Sequence, residues 1–176
     1  LESDANTPVQ SHFDELTFRT TVVFLSVAVL SLAWLFVIDS VLANLLDHLQ
    51  PCPDACLNVY EPAEWSVVRW LTAIILGILS ALPLVVHHFL QFAKPGLLPG
   101  EYRALRRWCW GGTFGVALLS AGLLGWLFPW VYDAGHQHHL SANLVAQYNA
   151  VDILLYAVLS VWMLMIFTFT WMSLVF

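Results

Sequence analysis

Two glutamates carry the binding chemistry that this chain could offer. Glu15 lies in "SHFDELTFR" with Arg19 four residues on, the spacing and order of a favourable pair along one helix face. His12 shares that side. Asp14, at about 100° per residue, points away from it and reads as a solvated charge near a helix end. Glu101 lies in "PGEYRALRR", where Arg103 can balance it as a surface pair. A carboxylate at a membrane surface suits a guanidinium, whose planar fork can engage both oxygens, and partial loss of water strengthens the pairing.

Other reactive groups are weaker candidates. Cys52 and Cys56, in "PCPDAC", could close a local disulfide in an oxidising compartment. They could also be the exposed pair of a membrane thiol-disulfide oxidoreductase, but such an enzyme relays electrons to a second pair and only Cys109 remains. "HQHH", residues 136–139, has metal-capable donors with no nearby carboxylate beyond Asp133, so no metal site is expected. His87 and His88 near the end of an apolar stretch either cap a helix terminus or take part in proton movement.

The elements that position these groups follow from composition. At 60% hydrophobic and 10% charged residues, the 176-residue chain is expected to be an all-α integral membrane protein. A span takes roughly 20 apolar residues. Four stretches qualify, at about 20–38, 66–90, 108–132 and 151–176, and together make one polytopic helical bundle over 1–176. Short interfacial helices are expected beside them. Thr7-Pro8-Val9-Gln10, or Ser11-x-x-Asp14 in another register, can start one over 7–19 that lies on the headgroups. Val41, Leu42, Leu45, Leu46 and Leu49 recur at helical spacing and suggest a second on the opposite face. Pro83 should remove a backbone bond and kink the second span, and the glycines of the third permit close helix approach.

Basic residues set the expected orientation. Arg19 precedes the first span and Lys94, Arg103, Arg106 and Arg107 follow the second, so the amino terminus and the 91–107 loop are expected in the cytoplasm, with 39–65 and 133–150 outside. No segment of signal-peptide form opens the chain, and the first span reads as a permanent helix. The start at Leu1 and the stop inside an apolar run at Phe176 suggest a piece of something longer. A net charge of −6 argues against nucleic acid as a partner.

Several motifs, in order and at matching topological positions, resemble one family. "SHFDELTFR" is similar to the amino-terminal H-x-x-E-L-x-x-R segment of TatC, the core subunit of the twin-arginine protein translocase. "YEPAEW" resembles its P-x-E-x-F entry to the second span, through Pro62 and Glu64. Leu82-Pro83 and "FAKPGLLPGEYRALRR" resemble its kinked span and following loop, giving Pro95, Glu101 and Arg103. "LFP" at 127–129 fits the end of the third span. The chain departs from the pattern at His87-His88, where Tyr-Gln is usual, and at Tyr102 within the E-R-R motif. It also lacks the late acid of span four, with Thr170 in that region, and shows four spans where the family has six.

The resemblance implies a TatC-like bundle in the cytoplasmic membrane of a prokaryote. It implies a receptor for twin-arginine signal peptides of folded proteins, with no enzymatic activity and no cofactor. Glu15 and Glu101 would hold the arginines, while His12, Arg19 and Arg103 organise the surface. Pro62, Glu64, Pro83 and Pro95 would serve structure, with 57–65 shaping the outer cap. Implied partners are small single-span subunits of the TatA and TatB type, the lipid bilayer and further copies of the chain. A non-translocating half of a larger fused subunit, or the oxidoreductase through Cys52 and Cys56, are the alternatives.

Overall fold

The computed structural model describes residues 9–52, 56–142, 144 and 147–175. Four helices among them are long and apolar enough to cross a membrane: Ser11–Leu35, Pro62–Gly96, Pro99–Ser141 and Ala150–Trp171. The first belongs to α1, Val9–Leu35, which meets no glycine or proline along its length. Its hydroxyls do not interrupt it either, because Thr21 Oγ1 donates to Thr17 O and Ser26 Oγ to Val22 O, both at 2.8 Å. This differs from the separate surface helix expected over 7–19. Nothing bends the chain at Thr20, so Glu15 and Arg19 ride on the same rod as the span; the alternative start at Thr7 lies outside the described residues.

After a turn at Phe36 and Val37, α2 covers Ile38–Leu49. Ile38, Leu42 and Leu49 on its apolar face are fully buried, Ile38 and Leu42 against Val68, Ala73, Val151 and Leu154. α3, Pro62–Ala93, starts with Pro62 in its first turn, where a missing N–H costs nothing, and Glu64 in that turn complements the helix dipole. Pro83 stands inside α3 and offers no N–H to Leu79 O, four residues back.

A short 3-10 turn, Lys94–Gly96, contains Pro95, and α4 begins at once with Pro99 and runs to Gly122. The loop expected over 91–107 therefore shrinks to a few residues, because two prolines pre-set the turn and the new helix start. α4 passes through a π turn at Leu123–Leu127 into α5, Phe128–Ser141. Much of the loop expected over 133–150 is thus helix. α6 covers Ala150–Val175.

Two-residue strands β1, Leu57–Asn58, and β2, Tyr148–Asn149, pair in parallel with Leu57 opposite Tyr148. They tie the chain entering α3 to the chain entering α6. The second core, Ile75 and Leu82 with Val116 and with Val158, Val161 and Met165, joins α3, α4 and α6. α1 packs along α3 instead. Gly77 makes that approach possible: a Cβ there would lie 2.8 Å from Ser31 N and 2.9 Å from Ser31 Cα. Trp34 Nε1 donates to Ser80 Oγ at 3.0 Å in the same seam.

Candidate functional site

The long helices put the chemistry at their ends. At 1.5 Å per residue the 35-residue stretch Pro62–Gly96 is about 50 Å long, against roughly 30 Å of hydrocarbon, so polar termini stand clear of the apolar middle. One end holds the start of α1, the finish of α3 and the start of α4, and we term it the arginine end. The other holds α2, the strand pair and the disulfide, and we term it the ladder end.

At the arginine end Arg19 donates to Glu15 twice, from Nε at 2.9 Å and from Nη2 at 2.6 Å, and both bonds reach the one oxygen Oε1. The acid's side chain is 41% exposed and the arginine's 21%. Arg19 Nη1 also lies 3.4 Å from His88 Nδ1 on α3, which fixes the tautomer as Nε2–H if the guanidinium donates. His12 is half-buried one turn before Glu15, and Asp14 is exposed. Beneath Arg19 is a hollow of about 190 Å³ lined by Leu16, Val23, Val85, His88, Phe89 and Phe92.

Glu101 is exposed and has a local task. One carboxylate oxygen accepts the Leu98 N–H at 3.0 Å, covering a backbone donor that the start of α4 leaves unpaired. It borders a second hollow, of about 590 Å³, with Phe89, Ala93, Gly96, Leu97 and Leu105. Phe89 lines both hollows, so one aromatic ring stands between the Glu15–Arg19 side and the Glu101 side. Nothing in the residue spacing singles out Phe89 or brings His88 to Arg19; both arise from the register of α1 on α3.

Arg103 falls elsewhere. Its Nε donates to Pro99 O at 3.2 Å and it lines a different hollow with Gly100, Arg106, Arg107 and Trp110. It lines a different hollow from the Glu101 carboxylate that its place in the sequence pairs it with, because two positions along a helix turn a side chain by about 200°. Pro95 stands in the 3-10 turn that precedes α4.

The ladder end is closed by its own contacts. Cys52 and Cys56 form a disulfide just before β1. Tyr148 N donates to Cys56 O at 3.0 Å, and Asn58 Nδ2 and Tyr60 OH reach Gln147 Oε1 at 3.5 and 3.4 Å. Tyr148 OH lies 3.5 Å from His136 Nδ1, and burial pushes its phenol pKa above the ordinary value, keeping the hydroxyl neutral. Asn149 Oδ1 accepts the Val151 N–H at 3.1 Å and caps α6. Arg69 pairs with Asp39: Nη2 donates to Oδ2 at 2.9 Å, while Nε lies 2.8 Å from Oδ1 as an ion-pair contact without the alignment of a hydrogen bond.

Cys109 is buried against Val86 and Leu90, most of the length of α3 away from the disulfide, so no relay joins them. Among the described residues no cluster of His, Cys, Asp and Glu could hold a metal.

The family model described as "Sec-independent protein translocase protein (TatC)" matches residues 11–176. No curated protein and no solved structure gives a significant match.

Proposed function

Because the chain belongs to the TatC family, a component of the Tat protein translocase rather than an enzyme, we propose that it is the receptor for twin-arginine signal peptides. The observation that carries this reading is the placement of Glu15 and Glu101 at one end of the bundle, beside hollows that meet at Phe89. A signal peptide's paired guanidinium groups would take the two carboxylates. Its apolar part would follow the hollow lined by Leu16, Val23, Val85 and Phe92.

Both acids are held by contacts that exchange readily. The Glu15–Arg19 pair is an i,i+4 surface pair worth roughly 0.3–0.5 kcal/mol, whereas a guanidinium engaging both oxygens of a carboxylate is a stronger arrangement. His12 and Arg19 order the surface around Glu15, and His88 keeps Arg19 close to α3 when Glu15 changes partner. Arg103 is left out of this site. On this reading the arginine end faces the cytoplasm of a prokaryotic cell, small single-span Tat subunits assemble alongside, and several copies of the chain can share one complex.

The test is photo-cross-linking of a twin-arginine signal peptide to the purified protein, comparing wild type with Glu15→Gln and Glu101→Gln. Each substitution removes one charged acceptor and should weaken binding by about tenfold, the usual worth of a hydrogen bond to a charged group. Replacing the peptide's two arginines by lysines should cost a similar factor in wild type and little more in the double variant. Cross-linking that survives both substitutions unchanged would remove these acids from the site.

A further inference from the structure

The first turns of α4 present opposite charges to opposite sides. Glu101, Ala104 and Leu105 line the hollow against α3, while Arg103, Arg106, Arg107 and Trp110 line one of about 720 Å³ on the other side. Three of the chain's six Lys and Arg residues therefore converge on one hollow, beside the first three turns of α4. Arg19 and Arg69 are neutralised by Glu15 and Asp39. Arg106 and Arg107 are exposed and have no ion-pair or hydrogen-bond partner among the described residues.

Arg107 also belongs to a neighbouring groove of about 790 Å³ between α4 and α6, whose walls are otherwise apolar apart from Thr168, its hydroxyl spent on Leu164 O. Gly111 and Gly115 form its floor, with Leu119 and Phe167 further along and Trp108 and Trp171 near the charged end. A Cβ at Gly111 or Gly115 would meet nothing within 4 Å, so the floor is open and not filled by a crossing helix. An anion cradle thus opens through one shared arginine into an apolar channel. Tryptophans stand at the junction, where a bilayer's interface would lie.

The geometry points to a binding site for one anionic phospholipid, its phosphate held by Arg106 and Arg107 and an acyl chain seated between α4 and α6. Only an amphiphile with an anionic head uses both halves. A zwitterionic lipid leaves the arginines without a net counter-charge, and a soluble phosphate leaves the groove empty. The site is independent of the signal-peptide reading, since it lies on the other side of α4 and uses neither Glu15 nor Glu101.

Native mass spectrometry of the full chain, released from detergent micelles doped equally with phosphatidylglycerol and phosphatidylcholine, tests this. The wild type should retain phosphatidylglycerol preferentially. Arg106→Gln with Arg107→Gln should lower that preference by at least about tenfold, as removing two interfacial charges implies. Gly115→Leu should lower retention of both lipids, since it fills the groove without touching a charge. Excess glycerol phosphate should displace neither. The proposal is overturned if the double glutamine variant keeps the preference, or if Gly115→Leu leaves retention intact. Displacement by glycerol phosphate would also overturn it, by reducing the site to an anion cradle. So would Gly115→Leu converting dimers to monomers at unchanged lipid retention, because the groove would then seat a second copy.

Discussion

At the ladder end Cys52 is bonded to Cys56, Arg69 is paired with Asp39 and the strand pair spans from Cys56 to Tyr148. At the arginine end Glu15 shares a single oxygen with Arg19, Glu101 serves one backbone N–H, and Arg106 and Arg107 have no partner among the described residues. Both ends project from the same long helices, so the difference is not one of burial in lipid. It lies in how far the polar groups are spent on one another. An end whose donors and acceptors are matched internally holds the helices in place, and an end with spare charge is ready for a ligand. Substitutions at the ladder end should therefore lower stability and leave ligand binding alone, and those at the arginine end should do the reverse.

The largest expected effect breaks that division on purpose. Gly77→Leu would drive a side chain into Ser31, whose backbone N and Cα already lie within 2.9 Å of where a Cβ would stand. Overpacking of this kind costs about 3 kcal/mol or more. Because α1 and α3 then separate, Arg19 loses His88 and the hollow at Phe89 opens, so signal-peptide cross-linking should fall together with the thermal midpoint. Gly77→Ala should show both losses on a smaller scale. A stability loss with full cross-linking would mean that the register of α1 on α3 does not build the site.

Cys52→Ser comes next and should move only one of the two readouts. Opening so short a loop costs about 2 kcal/mol in chain entropy, and Cys52 is itself buried beside the start of β1. Thermal unfolding in detergent should shift down accordingly, whereas cross-linking at the far end of α3 should be unchanged. A coupled loss of binding would show that the ladder end positions the arginine end, and the comparison between them would have to be given up.

Much of this division was legible in the sequence, and what escaped had physical reasons. Long apolar runs identify spans because lipid leaves a backbone few other ways to satisfy itself. The i,i+4 relation placed His12, Glu15 and Arg19 together and turned Asp14 outward. Element ends were less readable: α1 absorbs the segment expected to lie on the headgroups, since no Gly or Pro marks a break, and α5 extends through His136–Ser141. Pairings between distant segments carried no local signal. Neither the Leu57–Tyr148 register nor the Arg19–His88 contact can be read from spacing, because each depends on how two segments distant in sequence come to lie against each other. Arg103 illustrates the converse, a residue grouped with Glu101 by nearness in sequence and parted from it by the turn of the helix.

The smallest of these effects concerns a contact that no motif announced. Pro129 has no N–H to give to Gly125 O, four residues back, and the chain answers with a π turn over Leu123–Leu127. His48 of α2 lies with Nε2 3.3 Å from that same carbonyl, close enough for the Nε2–H tautomer to donate. His48→Ala should therefore cost about 1 kcal/mol of stability, the net worth of one hydrogen bond, with binding unaffected. Pro129→Ala supplies an N–H that Gly125 O can accept and makes the histidine redundant. In that background His48→Ala should cost almost nothing, and the double-mutant cycle reads the difference directly. Equal losses in both backgrounds would assign His48 to packing of α2 and not to the carbonyl. The ladder end would still be the tied end, but by apolar contact alone at this point.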